Sequence, residues 1–333
     1  MGPDGNQGFY NGTPIHTITI FANPFLTNKP SLEDIGVYKV SPGEYPPSEG
    51  PWHTLYFLPG IHDIGVGFPV HSNKTYFIPG DAIVYGTINN NKDDDDGNHI
   101  LIYGHGTLSG DRLPHPNFAD PPIPEDEHWK YHSITIQGVK RDNIINTYVF
   151  NNLEYQEECI IILGASNTKV EGITIANSAA HSLTLNHYYD PENPTDFKWV
   201  KIMTWRANGD GIDPHPNGLI EDCFIRTQDD ASYVTGRGIK RVVFWTDSNG
   251  STLKLSHIGS PVLNTHPLIV EDCTVVYSRS HYHYSAGHSV FNMNMRGGGS
   301  GGYTIIFRNI NVEDPRPTLQ AFKIFMKGLF ISI

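Results

Sequence analysis

Short apolar runs rich in β-branched residues recur along the chain, and almost no stretch has the 3.6-residue period of an amphipathic helix. Good examples are residues 55–58, 100–103, 170–175, 242–245 and 269–276. Gly, Asn, Asp and Pro fill the gaps between the runs, as expected where strands end in turns. The pattern of hydrophobic and polar positions therefore predicts an all-β protein.

A repeat connects several of these runs. When the segments that begin at residues 170, 200 and 220 are aligned, apolar residues fall in the first, fourth and sixth columns of each, and a segment from about 269 follows with its later columns slipped by one. Such spacing, roughly twenty residues or more per repeat, is typical of a solenoid whose coils each add a short strand to several parallel sheets. Two-residue hairpin sequences, which a sandwich or barrel would need, are few. We predict a right-handed single-stranded parallel β-helix.

The two ends of the chain differ from this repeat. Residues 1 to about 50 are rich in Pro, Gly and Asn with one good strand at 15–20, and are interpreted as an arm or the remnant of another domain. Residues 51–333 are predicted to form the β-helix. The segment 321–333 ends on apolar residues, whereas solenoids need polar caps. We therefore expect a chain that is truncated at the C-terminus.

Charge and composition narrow the range of partners. The 333 residues carry a formal net charge of −12 with no cluster of Lys or Arg, which disfavours nucleic acid and anionic membrane surfaces. A neutral polymer suits this charge better than a polyanion, which would need a basic groove. No apolar run is long enough to span a membrane. The sequons at Asn11, Asn73 and Asn249 are compatible with a secreted glycoprotein whose leader would lie outside this chain.

The chain has three cysteines, too few for a disulfide framework and without metal-ligand spacing. Cys223 and Cys273 each follow a Glu-Asp pair, which suggests the same position in two coils; Cys159 has a different context. We expect free, buried and unreactive thiols.

Two polar segments carry the candidate chemistry, Asn-Gly-Asp-Gly-Ile-Asp at 208–213 and Thr-Gln-Asp-Asp-Ala at 227–231. Each one alone is typical of a turn. The repeat changes this interpretation, because an offset of about twenty residues brings the two segments onto each other. It pairs Met203 with Cys223, Trp205 with Ile225, Asn208 with Gln228, and Asp210 with Asp230.

Stacked aspartates in neighbouring coils would have backbones about 4.8 Å apart and would repel each other. Asp229 adds a third carboxylate beside Asp230, while its aligned residue Gly209 leaves space. Hydrolysis of a glycosidic bond uses such a group, since one carboxyl protonates the leaving oxygen and an ionised one activates water or attacks the sugar. Crowding raises at least one pKa of the group, and the residues alone do not say which aspartate is the acid.

Neighbouring residues of a strand point to opposite faces. Asp229 and Asp230 can therefore share one groove only where the coil bends, and we predict a bend at this point.

The order Asn-Gly-Asp at 208–210, Asp-Asp at 229–230 and Val-Val-Phe-Trp-Thr-Asp-Ser-Asn-Gly at 242–250 resembles glycoside hydrolase family 49, the dextranase and isopullulanase family of the polygalacturonase-like β-helix superfamily. Phrases at 20–24, 56–60 and 104–110 also fit, and the likeness covers about residues 15 to 315. Family members carry an N-terminal β-sandwich domain, of which at most the last strand, residues 17–21, is present here.

The resemblance implies an inverting hydrolase of an α-glucan. Our first hypothesis is an endo-acting enzyme that cleaves the α-1,6 linkages of dextran. Asp229 would be the general acid, and Asp210 with Asp230 would hold and activate the water. Inversion requires carboxyl groups about 6.5–9.5 Å apart. Linkage preference and endo or exo action stay open at this point.

Six residues around the trio are candidates for substrate contact: Asn208, Gln228, Tyr233, Lys254, His283 and Tyr284. Trp205 falls on a core column of the alignment. The histidine-rich segment 281–288 and the four aspartates at 93–96 are interpreted as groove-lining residues and a solvated loop, so that no metal and no cofactor is expected. We expect a monomer that binds a polysaccharide.

Three other functions compete with this interpretation. A polygalacturonase-like pectin hydrolase uses a similar trio, but we find no Arg-x-Lys pair placed for galacturonate carboxylates. A calcium-dependent lyase and a non-catalytic β-helical carbohydrate-binding module also remain open.

Overall fold

The structure is a computed structural model, and it describes the following residues: 18–89, 99–112, 135–136, 139–140, 160–162, 167–178, 181–185, 195–205, 209–213, 218–234, 236–247, 250–254, 267–278, 289–294, 304–314 and 322–325. Within them no helix is long and apolar enough to cross a membrane.

The regular elements of these ranges are β-strands. In chain order they are β1 (Val37–Val40), β2 (Thr54–Phe57), β3 (Gly60–Pro69), β4 (Thr75–Ile78), β5 (Ala82–Asn89), β6 (Leu101–Gly104), β7 (Thr107–Ser109), β8 (Thr135–Ile136), β9 (Val139–Lys140), β10 (Ile160–Ile162), β11 (Lys169–Glu171), β12 (Thr174–Ala176), β13 (Leu183–Leu185), β14 (Asp196–Lys198), β15 (Lys201–Met203), β16 (Ile212–Asp213), β17 (Leu219–Glu221), β18 (Phe224–Thr227), β19 (Ser232–Tyr233), β20 (Gly238–Lys240), β21 (Val243–Thr246), β22 (Leu253–Lys254), β23 (Leu268–Ser278), β24 (Phe291–Asn294), β25 (Ile305–Val312) and β26 (Phe322–Phe325).

These strands stack in three parallel ladders. The first ladder runs β1, β2, β4, β6, β11, β14, β17, β20 and the start of β23 and β25; the second runs β3, β5, β7, β12, β15, β18, β21 and the end of β23 and β25; the third continues from β5 through β10, β13, β16, β19, β22, β24 and β26. Only β8 and β9 pair antiparallel among the described strands. Each coil of chain gives one strand to each ladder, so the predicted right-handed parallel β-helix is confirmed.

Inward-facing side chains stack from coil to coil and form one continuous core. The first ladder contributes an unbroken inward column: Leu55, Tyr76, Ile102, Val170, Phe197, Ile220, Ile239 and Val270, all at most 2% exposed. Because each coil covers the apolar face of the one before it, the core grows with the number of coils.

A sharp corner separates the first ladder from the second, and one residue per coil makes it. Trp199, Asp222, Arg241, Asp272 and Asn309 occupy this position with φ between 49° and 56°. The residue after the corner points inward, which places Cys223 and Cys273 at the same point of their coils. Both thiols are free and buried, as predicted, and burial raises the pKa of Cys223 to about 12. Cys159 lies outside the described residues.

The register differs from the sequence alignment along the strands. Ile202 lies opposite Ile225 and Met203 opposite Arg226, so the predicted pairs of Met203 with Cys223 and of Trp205 with Ile225 are wrong. In the same way Ile175 lies opposite Ile202. The alignment matched the start of one strand to the corner of the next coil. The error arose because the strands before and after a corner have the same spacing of apolar residues.

Beyond the next bend the register agrees with the alignment again, since Ile212 lies opposite Ser232. The difference in coil length is taken up between Met203 and Ile212. Asp210 therefore does lie beside Asp230, although the strands that precede them are paired differently.

The segment before β1 runs along the outside of the solenoid. Phe21 packs edge-on against Phe224 with ring centroids 5.1 Å apart, and the Lys201 ammonium donates to Asn23 Oδ1 at 3.1 Å. The strand predicted at 15–20 is wrong for its described part, since Ile18 and Ile20 are exposed and not in a strand. Strand β1 pairs in parallel with β2, and the division of the chain at about residue 50 stays a prediction.

Candidate active site

Three aspartates meet where the second ladder gives way to the third. Asp210 precedes β16, while Asp229 and Asp230 occupy the bend between β18 and β19 that the sequence predicted. One carboxylate oxygen from each of the three lies within 4.8 Å of the others. The bend allows the adjacent Asp229 and Asp230 to face the same point, which a straight strand would forbid.

Backbone hydrogen bonds fix this arrangement coil by coil. Gly211 N donates to Asp230 O at 2.9 Å, and Ala231 N donates to Ser251 O at 3.0 Å. One coil earlier, Ser182 N donates to Asp210 O at 2.8 Å. Asp210 and Asp230 therefore belong to one column that continues with His181 on one side and Ser251 on the other.

The three carboxyl groups are removed from water. Asp210, Asp229 and Asp230 are exposed by 4%, 7% and 2%, respectively. Burial, followed by the charge of Asp230, raises the pKa of Asp210 well above its usual value. Burial, followed by the charges of Asp210 and Asp230, does the same for the pKa of Asp229. A buried group of like charges keeps protons that isolated carboxylates would release.

Polar partners hold each carboxylate in place. Tyr233 Oη donates to Asp210 Oδ2 at 2.7 Å, and Asp230 Oδ1 accepts from Ser251 N at 2.6 Å. The Lys254 ammonium forms an ion pair with Asp230 Oδ2 and lies 5.4 Å from the centre of the Tyr233 ring. Burial lowers the pKa of Lys254, but Asp230 and Asp210 outweigh it and the net pKa is raised. Lys254 is thus the cation of the cluster.

Gly211 is required by the close stacking of the two aspartate coils. A Cβ at this position would lie 2.0 Å from Ala231 O and 2.7 Å from Ile225 Cγ2. We expect Gly211→Ala to lower the free energy of unfolding by roughly 2–3 kcal/mol and activity by at least tenfold, because the coil of Asp210 must move. The measurements are urea denaturation and initial rates.

Gly80→Ala is the matched control, because its Cβ would lie at an ordinary 3.5 Å from His105 Cβ. A Gly211→Ala protein as stable and active as the Gly80→Ala protein would contradict the close-stacking argument.

His181 belongs to the site, and the sequence interpretation missed it. His181 Nε2 lies 3.5 Å from Asp210 Oδ2, and its ring stacks on Tyr233 with centroids 6.1 Å apart and planes 25° apart. Leu183 lies opposite Ile212, so the coil between them is considerably longer than the repeat used in the alignment. Only an alignment that used this longer spacing would have paired His181 with Asp210.

A second charged group borders the trio. Arg226 Nε donates to Asp247 Oδ2 at 2.7 Å, and Trp245 Nε1 donates to Asp247 Oδ1 at 2.5 Å. The guanidinium of Arg226 lies 4.2 Å from the centre of the Trp245 ring. All three residues are at most 9% exposed. The positive charge of Arg226 is therefore balanced inside the protein.

The residues predicted to contact substrate differ in where the structure places them. Tyr233 and Lys254 lie at the trio, and Gln228 is buried at the bend beside Asp229. Asn208, His283 and Tyr284 lie outside the described residues, as do the histidine segment 281–288 and the aspartates at 93–96. The structure corrects the placement of Trp205, which is 48% exposed and not in the core. Substrate contact by any of them stays a prediction.

The spacing of the carboxylates is shorter than the resemblance implied. Their nearest oxygens lie within 4.8 Å, below the roughly 6.5–9.5 Å typical of inverting pairs. The trio is also the group among the described residues that could hold a metal ion. The ammonium of Lys254 supplies one positive charge beside these three carboxylates.

Comparison with known proteins supports the β-helix fold. No protein-family model matches the chain. A dextranase of Talaromyces minioluteus is 24% identical over 286 residues, which cover 76% of this chain and 41% of that protein.

Two solved structures have the same fold. Dex49A from Penicillium minioluteum superposes with a TM-score of 0.53 at 15% identity, over 88% of this chain and 50% of that one. A family 28 exopolygalacturonase of Yersinia enterocolitica superposes with a TM-score of 0.50 at 15% identity, over 80% and 61%. The chain thus spans about half the length of the dextranase relatives it matches. It is similar in sequence to the dextranase and shares the right-handed parallel β-helix fold of both solved structures.

Proposed function

We propose that this chain is a glycoside hydrolase that cleaves a neutral α-glucan, with the α-1,6 linkages of dextran as the preferred target. The observation that carries the proposal is the trio of buried carboxylates at the coil bend, with nearest oxygens within 4.8 Å. Stacking like charges in a low-dielectric site costs stability. Acid-base catalysis of glycoside cleavage is the chemistry that needs such a group.

Asp229 is the proposed general acid. Burial and two neighbouring carboxylates raise its pKa, which favours the protonated form that a general acid requires. The ammonium of Lys254 binds Asp230 instead, and Ser251 N also donates to Asp230, contacts that suit an ionised carboxylate. Asp229 would protonate the glycosidic oxygen while Asp230 and Asp210 hold and deprotonate the attacking water.

Inversion of the anomeric centre is part of the proposal and rests on the family resemblance. Asp230 accepts hydrogen bonds on both oxygens, from Ser251 N and from Lys254, which disfavours a direct attack of this carboxylate on the sugar. Water held between Asp210 and Asp230 would then be the nucleophile.

The charge of the site favours a neutral substrate. Among the described residues of this region, the cations Lys254 and Arg226 are each paired with a carboxylate, Asp230 and Asp247 respectively. Binding of a uronate would require a cation that is not already paired with a carboxylate of the protein. The net charge of the chain, −12, also disfavours an anionic substrate. A pectin hydrolase is the second candidate, favoured by the structural match to the exopolygalacturonase.

Secretion, monomeric action and N-glycosylation complete the proposal. Of the three sequons, Asn73 lies at an exposed turn, where a glycan would meet no steric obstacle from the core.

A side-by-side assay of dextran, pullulan and polygalacturonate tests the proposed function. We expect reducing ends to appear fastest from dextran, at a rate at least tenfold above polygalacturonate, with the first product in the β-anomeric form by NMR. Protein carrying Asp229→Asn, purified in the same way, controls for contaminating hydrolases. Faster cleavage of polygalacturonate would transfer the assignment to the pectin hydrolases, and an α-anomeric first product would refute inversion.

A further inference from the structure

Trp205 is a large aromatic side chain left open to solvent near the trio. It is 48% exposed, whereas Trp52 and Trp245 are exposed by 5% and 7%. Burying a tryptophan would be favourable, and an isolated exposed one needs no explanation. Its neighbours in the structure, however, hold it in a defined orientation.

The backbone of Trp205 is anchored from the preceding coil. Trp205 N donates to Asn177 Oδ1 at 3.0 Å, and Asn177 Nδ2 in turn donates to Asp111 Oδ1 at 2.8 Å. Asn177 has a φ of 44°, the left-handed conformation that turns its side chain toward the next coil. Three successive coils therefore fix where the indole begins.

The indole ring rests on a charged residue that does not depend on it. The guanidinium of Arg226 lies 5.5 Å from the centre of the Trp205 ring, farther than the 4.2 Å to Trp245. Asp247 already neutralises Arg226 at 2.7 Å. Shielding of the Arg226 charge therefore does not account for the position of Trp205, because Asp247 already neutralises this charge and the Trp245 indole lies closer to it.

Trp205 lies one coil from the catalytic bend. Thr204 N donates to Arg226 O at 3.0 Å. Thr204 and Trp205 therefore lie beside Thr227 and Gln228 of the next coil. Asp229 is the residue after Gln228. A polymer that crosses the trio along the solenoid axis would pass this ring.

The column that contains Arg226 carries two further aromatic rings in the next coils. Trp245 lies opposite Tyr277, with ring centroids 4.6 Å apart. A β-bulge after Phe244 displaces Val276 and brings Tyr277 into this place, which explains the slipped apolar columns of that segment. Bulges that re-aim side chains are frequent beside active sites.

We propose that the exposed face of Trp205 is a subsite that stacks on an uncharged hexose ring of the substrate, one coil to the N-terminal side of Asp229. This inference rests on the proposed function and names the sugar class for the same groove. An aromatic face packs on the C–H face of a pyranose, an apolar and neutral partner. A fixed ring loses little conformational freedom on binding.

The test measures binding without hydrolysis, in protein that carries Asp229→Asn. Isothermal titration with isomalto-oligosaccharides of increasing length compares added Trp205→Ala, Trp205→Phe and Tyr45→Ala. We expect Trp205→Ala to raise Kd about tenfold for the longer oligosaccharides and to leave the shortest unchanged, while Trp205→Phe restores most of the affinity. Tyr45, 57% exposed and packed on Phe68, is the matched control and should have no effect.

The outcomes separate the two proposals. Normal affinity in the Trp205→Ala protein, with oligosaccharides still bound, overturns the subsite and leaves the proposed function standing. Absence of oligosaccharide binding together with absence of hydrolysis by the unmodified protein overturns both. In otherwise unmodified protein, Trp205→Ala should raise KM for dextran and change kcat by less than about threefold; a fall in kcat alone, with unchanged Kd, would indicate a structural role and contradict the subsite.

Discussion

Asp229→Asn is expected to lower kcat on dextran at least about a thousandfold while the β-helix stays folded. The amide cannot give a proton to the glycosidic oxygen, yet its oxygen can still accept the hydrogen bond that Asp229 Oδ1 receives from Asp230 N at 2.8 Å. The measurement is reducing-sugar release, with the folded state checked by circular dichroism.

The stability of this variant provides an independent test of its charge. The folded pKa of Asp229 is raised above its unfolded value, so ionisation of this group opposes folding at neutral pH. Asp229→Asn should therefore increase the free energy of unfolding at pH 7. The gain should shrink as pH falls and vanish below 3.8, the pKa of the unfolded chain, because the carboxyl is then protonated in both states.

Asp63→Asn is the control for Asp229→Asn, because Asp63 is exposed and forms an ion pair with Arg112 at 2.7 Å. It should change neither activity nor the pH dependence of stability appreciably. Hydrolysis by the Asp229→Asn protein at more than a tenth of the normal rate would refute the role of Asp229 as the acid.

Lys254→Met should shift the whole pH profile of activity toward higher pH. It should also lower kcat at pH 5 by on the order of a hundredfold. The charge of Lys254 lowers the pKa of both Asp210 and Asp229, against the stronger raising effect of burial. Without it both pKa values rise, so the base requires a higher pH to ionise and the acid keeps its proton to a higher pH. Initial rates from pH 3 to pH 9 show both limbs.

Lys254→Arg keeps the charge and is the matched control, since it should retain the position of the profile even if the rate falls. Lys254→Met also leaves Asp230 without its cation in a buried site, which should destabilise the protein by roughly 3 kcal/mol. A Lys254→Met profile that superimposes on that of the unmodified protein would mean that this lysine does not tune the trio.

Much of the architecture follows from the chain alone. Short β-branched runs at coil-length spacing predicted the parallel β-helix, and the repeated Glu-Asp-Cys phrases predicted that Cys223 and Cys273 occupy equivalent buried positions. The slip of one column near residue 276 became a β-bulge opposite Phe244 and Trp245. These features are local, because side-chain alternation and turn residues act within a few positions.

The carboxylate cluster was predicted by a partly wrong route. The spacing used in the alignment holds for Ile212, which lies opposite Ser232, but not for Ile202, which lies opposite Ile225 and not Asp222. Inward positions recur along each strand on both sides of a corner, so hydrophobicity by itself leaves several registers nearly equal. The prediction for Asp210 and Asp230 succeeded because both directly precede the third ladder.

Residue types and short-range spacing determined that this protein is a solenoid with three aspartates at one bend. Tertiary structure decided which partners they meet: His181 and Lys254 come from coils of different lengths. It also decided that Trp205 lies open beside Arg226 and not in the core. The physical reason is that coil length is set by loops, which carry no periodic signal, whereas the contacts of a stacked fold depend on every coil length that precedes them.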